Sequence, residues 1–229
     1  MVCGITNNTT PNIYIRGVLN VFKRNKITLN EVTRWEILRR SQRESPPRYA
    51  KKANYSPRDF KNVDFEELFE NNTFTWSTRV KGQSNYIVTI SFEGPFDILK
   101  YDLRSMRGKN RWKRITLEMV TKALSRALDT EDLYFDCSCP DFKYRFKFWA
   151  TQADCNYGVP QNTAPKVRNV RNNKGYCCKH ILAILYGKRW VQSAAKAWLA
   201  YMKANPELTE YYIWGKEYIS DDEDDDGGE

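Results

Sequence analysis

The stretch DLYFDCSCPDF, residues 132 to 142, places Cys137 and Cys139 one residue apart. A second stretch, GYCCKHILAIL, residues 175 to 185, holds Cys178 and His180, the single histidine of this 229-residue chain. Thiolate and imidazole are the donors that zinc prefers, and a tetrahedron takes four of them. One intervening residue lets two cysteines at the end of a strand point at one ion. Cys178 lies just before an apolar helical pattern, and His180 falls on its first turn. The partial positive charge of a helix N-terminus favours a thiolate there. Four protein ligands leave no position open for water, so the chemistry expected of this set is structural. Metal binding of that kind adds folding free energy on the order of 10 kcal/mol in small zinc modules. Cys177 and Cys155 stay open as replacements for Cys178. The competing reading makes all of these ordinary buried residues, with His180 a satisfied core histidine.

A catalytic role is not expected. If His180 binds metal, no histidine is left for acid–base work. The chain has no Walker loop, no GxSxG and no HExxH. The zinc deaminase signature needs His-x-Glu and a CxxC pair, and neither occurs. Cys137 and Cys139 are not spaced as a CxxC redox pair.

Charge points to binding. Lys and Arg number 37 against 28 Asp and Glu, a net of +9. The tail ISDDEDDDGGE carries seven of the acidic residues, which leaves +16 on residues 1 to 220. A basic body can meet phosphate or an acidic protein surface. The tail is too polar to fold and is expected to be a disordered appendage. It either confers solubility or covers the basic surface as a nucleic-acid mimic. The densest basic run is RSMRGKNRWKR, where Arg104, Arg107, Lys109, Arg111, Lys113 and Arg114 surround Trp112. Basic residues around an exposed aromatic bind nucleic acid, or a partner, by charge plus stacking. The plainer alternative is a solvated loop. Aromatic residues make up 14% of the chain, more than a core needs, so some are expected at interfaces. No apolar run is long enough for a membrane span. The N-terminus lacks the basic patch and apolar stretch of a signal peptide, so a reducing cytosol without disulfides is expected.

The elements that must position these residues can be read from pattern. A strand is expected within residues 12 to 22. A helix is expected from Thr28, with Glu31 completing a capping box, to about Arg43, burying Leu29, Val32, Trp35 and Leu38. Residues 44 to 59, with three prolines, read as an extended arm or a surface loop. A short helix follows at DFEELFE. Two alternating segments, turned at Lys81-Gly82, and FDILKYDL, residues 96 to 103, read as a three-stranded meander. The clearest amphipathic helix starts at Thr116, with Leu117, Val120, Leu124 and Leu128 on one face. LYFD is a strand leading into the first cysteine pair. DFKYRFKFWAT reads as a helix started by Pro140-Asp141. Residues 155 to 175 form a loop that includes the basic segment KVRNVRNNKG. Two further helices end near Gly187 and at Pro206.

The order strand, CxC, spacer, CxH and apolar helix resembles the SWIM-type zinc finger. The residues that carry the resemblance are Cys137, Cys139, Cys178 and His180, followed by ILAIL, within residues 132 to 187. It implies a structural Zn2+ on those four ligands, and contacts with DNA or protein. Thirty-eight residues separate Cys139 from Cys178, more than is usual in that family, so the spacer must fold as an insert. The longer string CSCPDFKYRFKFWAT, with PKVRN (165 to 169) and CCKHILAIL, is similar to a variant found in virion structural proteins of large tailed bacteriophages, including the crAss-like group. That likeness implies an assembly component of the portal vertex, head-tail connector or tail region. It would be built into the virion in the host cytoplasm, with several copies in a ring or complex with other virion proteins. The alternative is a SWIM zinc-finger protein that binds nucleic acid.

The fold class expected is α+β: a small antiparallel sheet with several helices and a zinc-stapled C-terminal half. Residues 1–115 would hold the N-terminal helix, arm and meander. Residues 116–219 would form the SWIM-like helical unit packed on them, and 220–229 the acidic tail.

Overall fold

The computed structural model describes residues 32–44, 54–55, 63–81, 84–108, 110–164 and 176–215. The expected strand within 12 to 22, the Thr28–Glu31 capping box, most of the 44 to 59 arm, Gly82 of the expected turn, Lys109, the segment KVRNVRNNKG and the acidic tail lie outside those residues.

Helix α1 spans Arg34–Glu44. It starts later than the pattern predicts, because Thr33 caps it: the Glu36 N–H donates to Thr33 Oγ1 at 3.4 Å and the Ile37 N–H to the Thr33 carbonyl at 3.1 Å. Val32 precedes the helix and is held instead by Leu133, whose N–H donates to its carbonyl. Of the expected stripe, Val32 and Leu38 are buried, but Trp35 is 58% exposed and Ile37 takes its place in the core.

Strand β1 is Asn54–Tyr55, helix α2 is Phe65–Asn71, and strands β2 and β3 are Thr73–Lys81 and Asn85–Glu93. The expected third strand at 96 to 103 is a helix, α3, Pro95–Leu103. Gly94, at φ 89°, turns the chain out of β3, and Pro95 takes the first helical position, where its missing N–H costs nothing. Asn72 Oδ1 accepts the Phe96 and Asp97 N–H groups. Phe96, Leu99 and Leu103 are buried, an i, i+3, i+7 spacing that only a helix puts on one face. The strand that pairs with β3 is β4, Leu133–Cys137.

The sheet order is β1-β2-β3-β4, antiparallel throughout. Strict alternation gives it two faces. Phe74, Trp76 and Val80 of β2, Val88, Ile90 and Phe92 of β3, and Leu133, Phe135 and Cys137 of β4 face the core. The other face carries hydroxyl pairs, Thr75 with Ser91 and Ser77 with Thr89, each at 2.8 Å.

Helices cover the apolar face. Helix α4, Leu117–Thr130, is capped by the Thr116 hydroxyl, which accepts the Met119 N–H, and it buries Val120, Leu124 and Leu128 as its pattern predicts. A π-helical turn, Phe142–Phe146, runs into α5, Lys147–Gln152. Helix α6 is Lys179–Tyr186 and α7 is Arg189–Ala204. Trp190 of α7 stacks on Trp76 at 4.8 Å, and its indole N–H donates to the Ile184 carbonyl. Full burial of side chains this large stabilises by about 2–3 kcal/mol each. Pro206 ends α7 and also opens a further helix, α8, Pro206–Trp214. One hydrophobic core joins residues on both sides of position 115. No helix among the described residues is long and apolar enough to cross a membrane. The described residues thus form a small antiparallel sheet, helices and a C-terminal Cys/His cluster, the α+β class expected.

Candidate metal centre

Strand β3 organises the first half of the site. Val88 pairs with Cys137, the last residue of β4. The next residue of β4's chain, Ser138, is clamped to Ile87 twice. Its N–H donates to the Ile87 carbonyl, and its hydroxyl oxygen accepts the Ile87 N–H, both at 2.9 Å. This clamp turns Cys139 to the same side as Cys137. Cys139 then leads into the π-helical turn: its carbonyl accepts the Lys143 N–H at 3.0 Å, and its Sγ accepts the Phe142 N–H at 3.2 Å. The second half comes from the start of α6. Cys178 is the N-cap, in extended conformation, and its carbonyl accepts the Leu182 N–H at 3.1 Å. His180 sits on the first turn.

The ligand atoms of Cys137, Cys139, Cys178 and His180 all lie within 4.8 Å of one another, and all four residues are buried. His180 Nδ1 is 3.9 Å from Cys137 Sγ and 3.8 Å from Cys178 Sγ. Bonds of about 2.3 Å to sulfur and 2.0 Å to nitrogen give tetrahedron edges of roughly 3.5–3.8 Å. The two nitrogen–sulfur distances lie close to those edges, and the cluster could hold a metal ion. Cys155 and Cys177 are buried but stand outside the four-atom set. Among the described residues, the group that could hold a metal thus includes Cys178 and neither Cys155 nor Cys177.

Hydrogen bonding from the Cys137 thiol, then from Cys178, holds the Cys139 thiol far below its ordinary range. The same bond with Cys139 pushes Cys137 up, and burial pushes Cys178 up. A bound cation would displace thiol protons from the cluster. Burial likewise raises the Cys155 thiol and the nearby Asp141 carboxyl.

The basic run does not form the exposed platform that its composition suggests. It contains a 3-10 turn, Arg111–Arg114. Arg111 is 2% exposed, and its guanidinium lies 4.3 Å from the centre of the Trp214 ring. Trp112 is half-buried against the core. Arg104, Arg107, Lys113 and Arg114 remain exposed, and Arg114 folds back so that Nη2 donates to the Arg107 carbonyl. Charge alone could not reveal this, because the partner that buries Arg111 comes from the far end of the chain. Sequence reasoning also missed Ser138, although its place between the two cysteines was the available signal.

No family model matches this chain, and comparison with curated proteins and with solved structures likewise finds no match.

Proposed function

We propose that Cys137, Cys139, Cys178 and His180 hold one structural Zn2+, and that the protein is a non-enzymatic assembly component of a tailed-phage particle. On this reading it acts through contacts with other virion proteins at the portal vertex, head-tail connector or tail region, and it resides in the virion. The observation that carries the metal reading is the closed, buried Cys3His set. Three thiolates and an imidazole suit zinc, and four protein donors leave it no open position, so zinc here stabilises the fold. The particle role rests on the resemblance read from CSCPDFKYRFKFWAT and CCKHILAIL in the sequence alone.

The second reading is a zinc-finger protein that binds nucleic acid. The exposed Arg104, Arg107, Lys113 and Arg114 favour it. Buried Arg111 and half-buried Trp112 weaken it, since neither is free to meet phosphate or stack on a base.

Light scattering of the purified protein, alone and with co-expressed virion proteins, separates the two readings when paired with a salt titration of DNA binding. An assembly component forms a ring or fixed complex and binds free DNA weakly. A DNA binder stays small and loses affinity steeply as salt rises.

A further inference from the structure

A metal-ligating histidine usually has its second ring nitrogen hydrogen-bonded to a carboxylate, a carbonyl or water, which fixes the ring's orientation. For His180 the described residues supply no such partner. Its Nδ1 faces the sulfurs of Cys137 and Cys178. Its Nε2 is buried with no hydrogen-bond partner among the described residues. What lies against the imidazole is an aromatic ring: the centroids of Tyr86 and His180 are 4.7 Å apart, tilted by 44°.

Tyr86 is not an arbitrary neighbour. It is in β3, opposite the buried Val80 of β2. The residue after it, Ile87, clamps Ser138, and the next, Val88, pairs with Cys137. Three consecutive residues of one strand thus touch both halves of the cluster. Adjacent strand residues point to opposite faces, so Tyr86 and Val88 share the core face, while Ile87 serves through its backbone.

We propose that Tyr86 is the positioning residue of the metal centre, orienting His180 by ring contact where other sites use a hydrogen-bonding partner. The proposal rests on the metal-binding reading of the four ligands. The contact needs the ring and not the hydroxyl. It adds no charge beside the three cysteines of the cluster.

The test compares Tyr86→Leu and Tyr86→Phe with the parent chain, using zinc alone as the probe. Zinc affinity is read by competition with a chromophoric chelator. The ligand geometry is read from the visible spectrum after cobalt(II) substitution, and the melting temperature of each metal-stripped protein is measured alongside. Tyr86→Leu is expected to lower zinc affinity about 10-fold or more and to alter the cobalt spectrum, with Tyr86→Phe restoring both. A merely structural role would shift the metal-stripped melting temperature and leave the cobalt spectrum unchanged. Parent-like affinity and spectrum in Tyr86→Leu would overturn the proposal while leaving the metal site standing. A parent chain that binds no zinc would overturn both.

Discussion

The metal centre and the basic run 104 to 114 both stood out in the sequence, and they fared differently when folded. The four candidate ligand atoms converge to within 4.8 Å. The basic run is split: Arg111 goes under Trp214, Trp112 packs on the core, and Arg104, Arg107, Lys113 and Arg114 stay in water. The difference lies in what each pattern constrains. A CxC and a CxH carry geometry, because donors of fixed type must meet at one point. A charge run carries only composition, and a long side chain can snorkel, fold back or be buried under an aromatic ring.

The comparison would break most visibly at the ligands. Cys139→Ser or His180→Ala is expected to abolish stoichiometric zinc binding and lower the melting temperature by about 10 °C, roughly 3–5 kcal/mol at this size. Calorimetry with and without zinc checks this. On the proposed assembly role, both variants should also fail to enter particles.

Next in size comes the basic run itself. Arg111→Ala should cost about 2 kcal/mol by removing a buried cation from the Trp214 face. Arg104→Ala and Lys113→Ala should each stay within about 0.5 kcal/mol in urea unfolding. Equal effects at all three positions would erase the division seen in the structure.

Ser138→Ala tests the clamp between β3 and the cysteine pair. It removes the acceptor of the Ile87 N–H. The expected cost is about 1 kcal/mol, with zinc affinity lowered as well, measured by chelator competition.

The smallest effect marks the weak end of the scale. Glu36 accepts from Arg40 and Arg39 on an exposed helix face, and the Arg40 hydrogen bond in particular holds its carboxyl below the ordinary range. A carboxyl so lowered stabilises the fold above its unfolded pKa and loses that contribution as pH falls through the folded one. Glu36→Gln should therefore cost a few tenths of a kcal/mol at neutral pH and nothing in acid. Unfolding at both pH values checks it.

Much of the architecture was legible for the same physical reason as the ligands. Val120, Leu124 and Leu128 repeat at helical spacing over enough turns to leave one solution, and β2 and β3 alternate cleanly. The strand before Cys137 and the helix after Cys178 were also legible, and they position the site. The errors fall where local signals compete. FDILKYDL looks like a strand when its β-prone residues are counted, but Pro95 and the spacing of Phe96, Leu99 and Leu103 make it a helix. Trp35 fits the apolar repeat of Val32 and Leu38 by spacing, yet it is exposed, and Ile37 joins Leu38 in the core. Tyr86 and Trp214 act through contacts distant in sequence, which no local pattern encodes.

On the proposed reading, His180 and three cysteines close one structural metal site. The most direct measurement is the metal content of the purified, untagged full-length protein by elemental mass spectrometry, with reactive thiols counted on the same sample. The account predicts one zinc per chain, with Cys137, Cys139 and Cys178 protected from thiol reagents until a chelator is added. A metal-free protein whose Cys137 and Cys139 react freely, or are joined in a disulfide, would contradict it.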